Sequence, residues 1–268
     1  MKIAFIGGGN MASALIAGLV KQAGTAIHVV DPNADALGRL AQQYGASTSG
    51  AIDAQIADSD VVVLAVKPQQ MREVAAALAP QLKGQLVLSI AAGIRSSDLA
   101  RWLGGYDAIV RTMPNTPALI GMGVTGMAAQ AGVSAAQREA ADAVMRAVGK
   151  TVWLDDEAQI DAVTGVSGSG PAYVFFFLEA MQQAAREMGL NEKQGRELAL
   201  ATFTGAAHLA AQSDDSVEVL RQRVTSKGGT THAAITSMEA AGVKEAIVAA
   251  MQAAAARGRA LGEELGKD

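Results

Sequence analysis

The chain opens on a short apolar run, KIAFI at positions 2–6, which breaks at three glycines and passes into helically spaced apolar positions up to residue 20. A continuous apolar run of this length suits a strand buried on both faces, as in a parallel sheet. The same alternation recurs downstream, with strands expected over residues 26–30, 61–66, 85–90 and 108–113 and helices over 32–44 and 69–82. Strand followed by helix, repeated, predicts a parallel sheet with helices on both faces. Strand character is last seen over 150–154, and from 155 onward the apolar spacing is helical almost without a break. The expected division is therefore an α/β domain over 1–154 and an all-helical domain over 155–268.

Within the helical half, Ser169-Gly170-Pro171 reads as a helix start, because proline is tolerated in the first turn where its missing N–H is not needed. Gly189 suits the C-terminal cap, and Asn191 with Gln194 has the spacing of a capping pair for the next helix. Residues 173–178, YVFFFL, are apolar around most of a helix and must be covered on several sides. Packing against a second copy of the chain explains them economically, and a central helix inside one bundle is the alternative.

The first glycine break carries the clearest chemistry. Gly7 and Gly9 permit a tight turn and close approach of backbone to a pyrophosphate, and Ala12 lets the following helix pack on the strand. The unpaired N–H groups at that helix start face the phosphates. This is the entry to a Rossmann-type dinucleotide-binding unit. Asp31 ends the second strand 19 residues after Ala12, where a carboxylate hydrogen-bonds a ribose 2′-OH and repels a 2′-phosphate. That favours NADH, whereas Asn33 and Arg39 lie where a 2′-phosphate would be accommodated. Three further segments end strands at the same crevice: residues 65–68 (AVKP), 91–93 (AAG) and 113–117 (MPNTP).

Composition narrows the field. The net charge of −4 and the lack of a basic run give no broad cationic surface for nucleic acid or anionic lipid. There are no cysteines, so disulfides and thiolate chemistry are excluded, and the three histidines are too scattered for metal-ligand spacing. No apolar stretch approaches membrane-spanning length, and the chain starts on a strand rather than a signal peptide. The expectation is a cytoplasmic enzyme without a metal.

A second glycine loop lies near the C-terminus, VTSKGGTT at 224–231, followed by a helix expected over about 232–239. Paired glycines, hydroxyls and a helix start together make a cradle for a small carboxylate. A capped loop between two helices is the plainer alternative. This loop with its helix, the segment DAVTGVSGSGPAY at 161–173 and RTMPNTP at 111–117 together resemble the pyrroline-5-carboxylate reductase family over the length of the chain.

The resemblance implies reduction of L-1-pyrroline-5-carboxylate to L-proline by hydride transfer from NADPH or NADH, the last step of proline biosynthesis. It implies a homodimer built through the helical domain, often assembled further into a decamer, with each active site combining the nucleotide domain of one subunit and the helical domain of another. Carried over to this chain, Gly7, Gly9, Asn10 and Met11 lie at the pyrophosphate, and Ala65, Lys67, Pro68, Ala91, Ala92 and Gly93 line the nicotinamide side. Ser226, Gly229, Thr230 and Thr231 receive the substrate carboxylate and ring nitrogen, and Glu157 is also set at the substrate. Where some members have Asn two residues before the loop's first hydroxyl, this chain has Arg223.

Thr231 is the expected catalytic contact, its hydroxyl hydrogen-bonding the ring nitrogen while backbone N–H groups fix the carboxylate. Lys67 and His232 are weighed as proton donors and set behind a solvated lysine and a helix-surface histidine. A β-hydroxyacid dehydrogenase shares the domain order but needs a lysine facing the cleft from the helical domain, and the lysines of its central stretch, Lys193 and, at the loop, Lys227, lie outside apolar helix faces. A dinucleotide-sensing dimer without turnover gives no reason for the loop at 226–231.

Overall fold

A computed structural model describes residues 1–267. The chain forms two compact units, one of residues 1–169 with 252–267 and the other of residues 170–251.

The first unit is built on one eight-stranded sheet in the order β3-β2-β1-β4-β5-β6-β7-β8. Its elements in chain order are β1 (Lys2–Ile6), α1 (Asn10–Leu19), β2 (Ala26–Val30), α2 (Ala34–Tyr44), β3 (Ser47–Ser49), β4 (Val61–Leu64), α3 (Met71–Leu78), β5 (Leu86–Ser89), α4 (Ser96–Trp102), β6 (Ile109–Met113), β7 (Gly123–Ala129), α5 (Ala135–Arg146), β8 (Gly149–Trp153) and α6 (Gln159–Val163). β1 lies inside the sheet, with Ile3 in register with Ile27 on one side and Val61 on the other. Successive residues serve opposite faces: Ile3 and Phe5 join Leu15, Ile16 and Val63 in one core, while Ala4 and Ile6 join Val62, Leu64 and Met71 in the other. That two-sided burial is why the opening run has no polar alternation.

The strand and helix alternation expected from sequence is present, with two added strands and two corrections. β3 is a polar three-residue edge strand and β7 carries two glycines, so neither shows an apolar run. β7 runs antiparallel to β6, with Arg111 opposite Ala128, so the sheet is parallel-dominated rather than wholly parallel. The helix expected over 69–82 is shorter, because Pro80 ends α3 in a tight turn over Ala79–Gln81.

β8 closes the sheet and is held by one carboxylate. Asp142 on α5 accepts hydrogen bonds from Thr151 Oγ1 at 2.7 Å and Trp153 Nε1 at 3.1 Å, and Arg146 on the same helix pairs with it. Arg138 stacks over the Trp153 ring at 3.9 Å. Burial pushes the Asp142 carboxyl up, but the hydrogen bonds from Thr151, Arg146 and Trp153 outweigh it and hold the group below its ordinary value.

The second unit contains α7 (Gly170–Glu187), α8 (Glu192–Gln212), α9 (Val217–Arg223), α10 (Thr230–Ala240) and the first part of α11 (Val243–Leu265). α7 and α8 form a hairpin. Gly189 takes φ 91° at the turn, and Asn191 and Gln194 form the reciprocal capping box, each backbone N–H donating to the other side chain at 3.0 and 2.9 Å. Phe177 meets Phe203 edge to face with centroids 5.5 Å apart. Little else is covered: Phe175 and Phe176 are 60% and 75% exposed, and α9 and α10 bury no residue. Large apolar side chains exposed in this number call for a partner.

Asp142→Asn is expected to cost about 1 kcal/mol at neutral pH, read by chemical denaturation. Because the folded carboxyl titrates below the ordinary 3.8, its contribution is full above that value and is lost as pH falls through the folded value. The gap between wild type and variant should therefore be constant near neutrality and close in acid.

Candidate active site

In each unit a glycine-containing turn leads into a helix whose N-cap glycine makes no side-chain cap hydrogen bond. In the first, β1 ends at Gly7, which has φ 104° and donates its N–H to the Val30 carbonyl at 2.8 Å. A Cβ there would lie 2.6 Å from the Ala65 carbonyl oxygen, so only glycine lets the turn cross the end of β4. Gly8 donates to Asp31 Oδ2 at 2.7 Å, and the other Asp31 oxygen accepts from the Asn33 N–H at 2.8 Å. Asn33 in turn caps α2 through the N–H groups of Asp35 and Ala36. One carboxylate thus pins the glycine turn to the end of β2.

Gly9 is the N-cap of α1, makes no side-chain cap hydrogen bond, and would carry a Cβ into open space with nothing within 4 Å. The first-turn N–H groups of α1 therefore face a clear volume. Beside them lies a cavity of about 650 Å³ whose lining includes Gly7, Gly9, Asp31, Asn33, Ala65 and Lys67. Uncapped N–H donors and a groove of that size fit a dinucleotide pyrophosphate. Lys67 is extended at φ −62° and ψ 144° ahead of Pro68, which opens a tight turn, and the lysine side chain is exposed.

The other residues expected at the cofactor lie outside that lining. Asn10 is exposed on the first turn of α1, and Met11 packs its side chain into the core, leaving only backbone at the helix start. Ala91, Ala92 and Gly93 form the turn after β5. Ala91 is buried in the core, Ala92 is exposed and Gly93 takes φ 77°. Gly50, Ile52, Gln70 and Glu73 also line the cavity and were not anticipated. The first pair follows the polar strand β3, whose only sequence signal is the Ser-Thr-Ser run.

In the second unit the loop after α9 is shaped by its own backbone. Thr225 N–H donates to Gln222 O at 3.0 Å, Gly229 N–H donates to Ser226 O at 3.0 Å, and Gly228 takes φ 76°. Gly229 is the N-cap of α10 and again makes no side-chain cap hydrogen bond, while Ser226, Thr230 and Thr231 are exposed around it. Lys227 and His232 are exposed as well. Arg223 turns away to pair with Asp215, and Arg221 reaches Glu239 Oε1 at 3.0 Å, which ties α9 to α10.

Glu157 has partners of its own in the first unit. Its Oε1 accepts from the Ser96 N–H at 2.7 Å and from Arg111 Nη1 at 3.0 Å. Among the described residues, no cluster of His, Asp or Glu could hold a metal ion, and no helix is long and apolar enough to cross a membrane.

Fold and site together define a two-unit oxidoreductase: a doubly wound dinucleotide-binding sheet, and a helical unit with a second glycine loop before an uncapped helix and with exposed apolar residues. Residues 2–93 match the family model described as NADP oxidoreductase coenzyme F420-dependent, and residues 157–261 match pyrroline-5-carboxylate reductase dimerisation. The pyrroline-5-carboxylate reductase of Pseudomonas aeruginosa is 49% identical, covering 99% of this chain and 98% of that protein. A solved pyrroline-5-carboxylate reductase from Coxiella burnetii superposes with a TM-score of 0.90 at 39% identity, over 97% of each chain. The Plasmodium falciparum pyrroline carboxylate reductase, crystallised with NADP bound, superposes at 0.87 with 27% identity over 98% of each. This chain belongs to the pyrroline-5-carboxylate reductase family.

Two glycine substitutions should separate folding from binding. Gly7→Ala forces a positive φ and a clash, and is expected to cost about 1–3 kcal/mol of stability. Gly9→Ala should leave thermal unfolding unchanged and weaken dinucleotide binding by about tenfold, because its methyl enters the volume the phosphates use. Calorimetric melting and fluorescence titration read the two effects.

Proposed function

We propose that this chain reduces L-1-pyrroline-5-carboxylate to L-proline with NADPH or NADH, as the last step of proline biosynthesis. The observation that carries the reading is the start of α10: the helix begins at Gly229 without a side-chain cap, and hydroxyls of Ser226, Thr230 and Thr231 stand exposed around its free N–H groups. A small carboxylate satisfies those donors and the helix dipole at once.

The chain's own groups bind and orient. The Thr230 N–H at the start of α10 holds the substrate carboxylate, while Gly229, its own N–H spent on Ser226 O, keeps the approach to that N–H open. Thr231 Oγ1 accepts a hydrogen bond from the protonated ring nitrogen, which keeps the C=N carbon electron-poor. A reduced nicotinamide bound at the first unit supplies the hydride to that carbon. Gly7, Gly9, Asn10 and Met11 present backbone to the pyrophosphate. Ala65, Lys67, Pro68 and the 91–93 turn flank the nicotinamide side. Lys67 contributes through its backbone, since Pro68 fixes the turn and the ammonium is solvated.

We assign residues 155–268 to dimerisation and substrate binding, and 1–154 to the cofactor. The working particle is a homo-oligomer with the dimer as its unit and a decamer as its further assembly. Its ligands are small molecules rather than nucleic acid, and the reading carries a cytoplasmic location with it. The exposed apolar residues of α7 and α8, among them Phe175, Phe176, Leu198 and Leu209, support the dimer.

A spectrophotometric assay with pyrroline-5-carboxylate and each reduced dinucleotide tests the reaction, and no oxidation of either would refute it. Thr231→Ala should lower kcat/KM by about 10²-fold. Full turnover at unchanged affinity would remove Thr231 from the mechanism. Asp31→Ser should raise the NADPH rate relative to the NADH rate by removing a fixed negative charge. It should also lower the melting temperature, because Gly8 loses its acceptor. Phe176→Asp should shift the particle toward monomer in sedimentation, with activity falling alongside.

A further inference from the structure

The turn at 91–96 lies at the carboxyl end of β5, and the sheet order puts it on the opposite side of β1 from Asp31. A dinucleotide whose pyrophosphate sits at the β1 turn and whose adenosine ribose faces β2 must extend its other end over β4 and β5. The backbone of 91–96 therefore decides how the nicotinamide is seated. This turn is gripped from two sides by its own unit. On one side, the last turns of α11 lie against it: a Cβ on Gly93 would meet Leu261 Cβ at 3.2 Å, and a Cβ on Gly262 would meet the Gly93 carbonyl oxygen at 3.2 Å. On the other side stands Glu157.

Glu157 Oε1 takes two donors at once, the Ser96 N–H at 2.7 Å and Arg111 Nη1 at 3.0 Å. Both donors are buried, Ser96 at 2% and Arg111 at 5% exposure, so neither has water as a substitute. Arg111 is itself fixed in the sheet, between Ser89 of β5 and Ala128 of β7, and its Nε has no hydrogen-bond partner. The guanidinium therefore depends on Glu157 for its charge partner. Through this carboxylate the position of Ser96, three residues past Gly93, is tied to the rigid centre of β6.

We propose that Glu157 is a positioning residue for the nicotinamide end of the cofactor, acting through Ser96 and Arg111 rather than by touching the substrate. The inference rests on the reading of the first unit as the cofactor half-site. Its distinctive consequence is selectivity along the cofactor: loosening the 91–96 turn harms the nicotinamide half and leaves the adenosine and pyrophosphate half alone.

The test is to titrate wild type, Glu157→Asp and Glu157→Gln with NADH and with ADP-ribose, which lacks the nicotinamide. Aspartate keeps the charge for Arg111 but, one methylene shorter, cannot reach Ser96 as well. Glutamine keeps the length and an acceptor oxygen. Both variants should weaken NADH by about tenfold, leave ADP-ribose within about twofold and lower kcat, Glu157→Asp because it releases the Ser96 N–H and Glu157→Gln because it leaves the buried Arg111 guanidinium without its charge partner. Equal losses for both nucleotides, or no loss for either, would overturn the proposal. These titrations need no imine. If wild type binds NADH but does not reduce pyrroline-5-carboxylate, the proposed reaction fails by itself and the test of Glu157 stands.

Discussion

Everything in the first unit follows from one close approach, that of the Gly7 backbone to the carbonyl of Ala65 where β1 passes β4. Strand order reverses at this point: β2 and β3 lie to one side of β1, and β4 to β8 to the other. A crevice opens there because the two chain connections leave in opposite directions. Any side chain at position 7 would fill the crossing, tilt the start of α1 and close the volume in front of Gly9. The Asp31 carboxylate adds a lock, since it binds the turn at Gly8 and its own strand end at Asn33. The ligand seat is thus made by backbone geometry, with side chains used mainly to hold that backbone still.

The same economy recurs in the second unit with different parts. Gly228 and Gly229 shape the approach to α10, and the carboxylate of Glu239 ties that helix to α9 through Arg221. In both units the glycine at the helix start supplies no side-chain cap, as is also true of the N-cap residues of α3, α4 and α6, whereas Asn33, Ser134, Asn191 and Ser216 cap α2, α5, α8 and α9. What sets α1 and α10 apart is the glycine at the N-cap, which leaves the space before the first-turn N–H groups without a side chain.

Much of this was legible in the residues. The strand and helix alternation of the first unit, the glycine turn, and the capping pair Asn191 with Gln194 rest on local chemistry that sequence displays directly. The missing pieces share a different cause. β3 and β7 are strands only because neighbours pair with them, and their Ser, Thr and Gly content gives no apolar run. The partners of Glu157 are distant in sequence, 61 residues to Ser96 and 46 to Arg111, so no spacing rule points to them. Asp31 was read for its place beside the ribose, while its bond to Gly8 requires knowing how the turn folds back over β2. Local patterns announce elements and caps; contacts between distant segments appear only once the sheet order is known.

The first unit is also discontinuous. Residues 252–267 complete it, and they come after the whole of 170–251. During synthesis on the ribosome, the sheet can assemble while the turn at 91–96 still waits for Leu261, Gly262 and Leu265 to emerge. One wall of that turn, and the Leu265 contact with the core beneath the sheet, are therefore supplied by the last segment of the chain to be made.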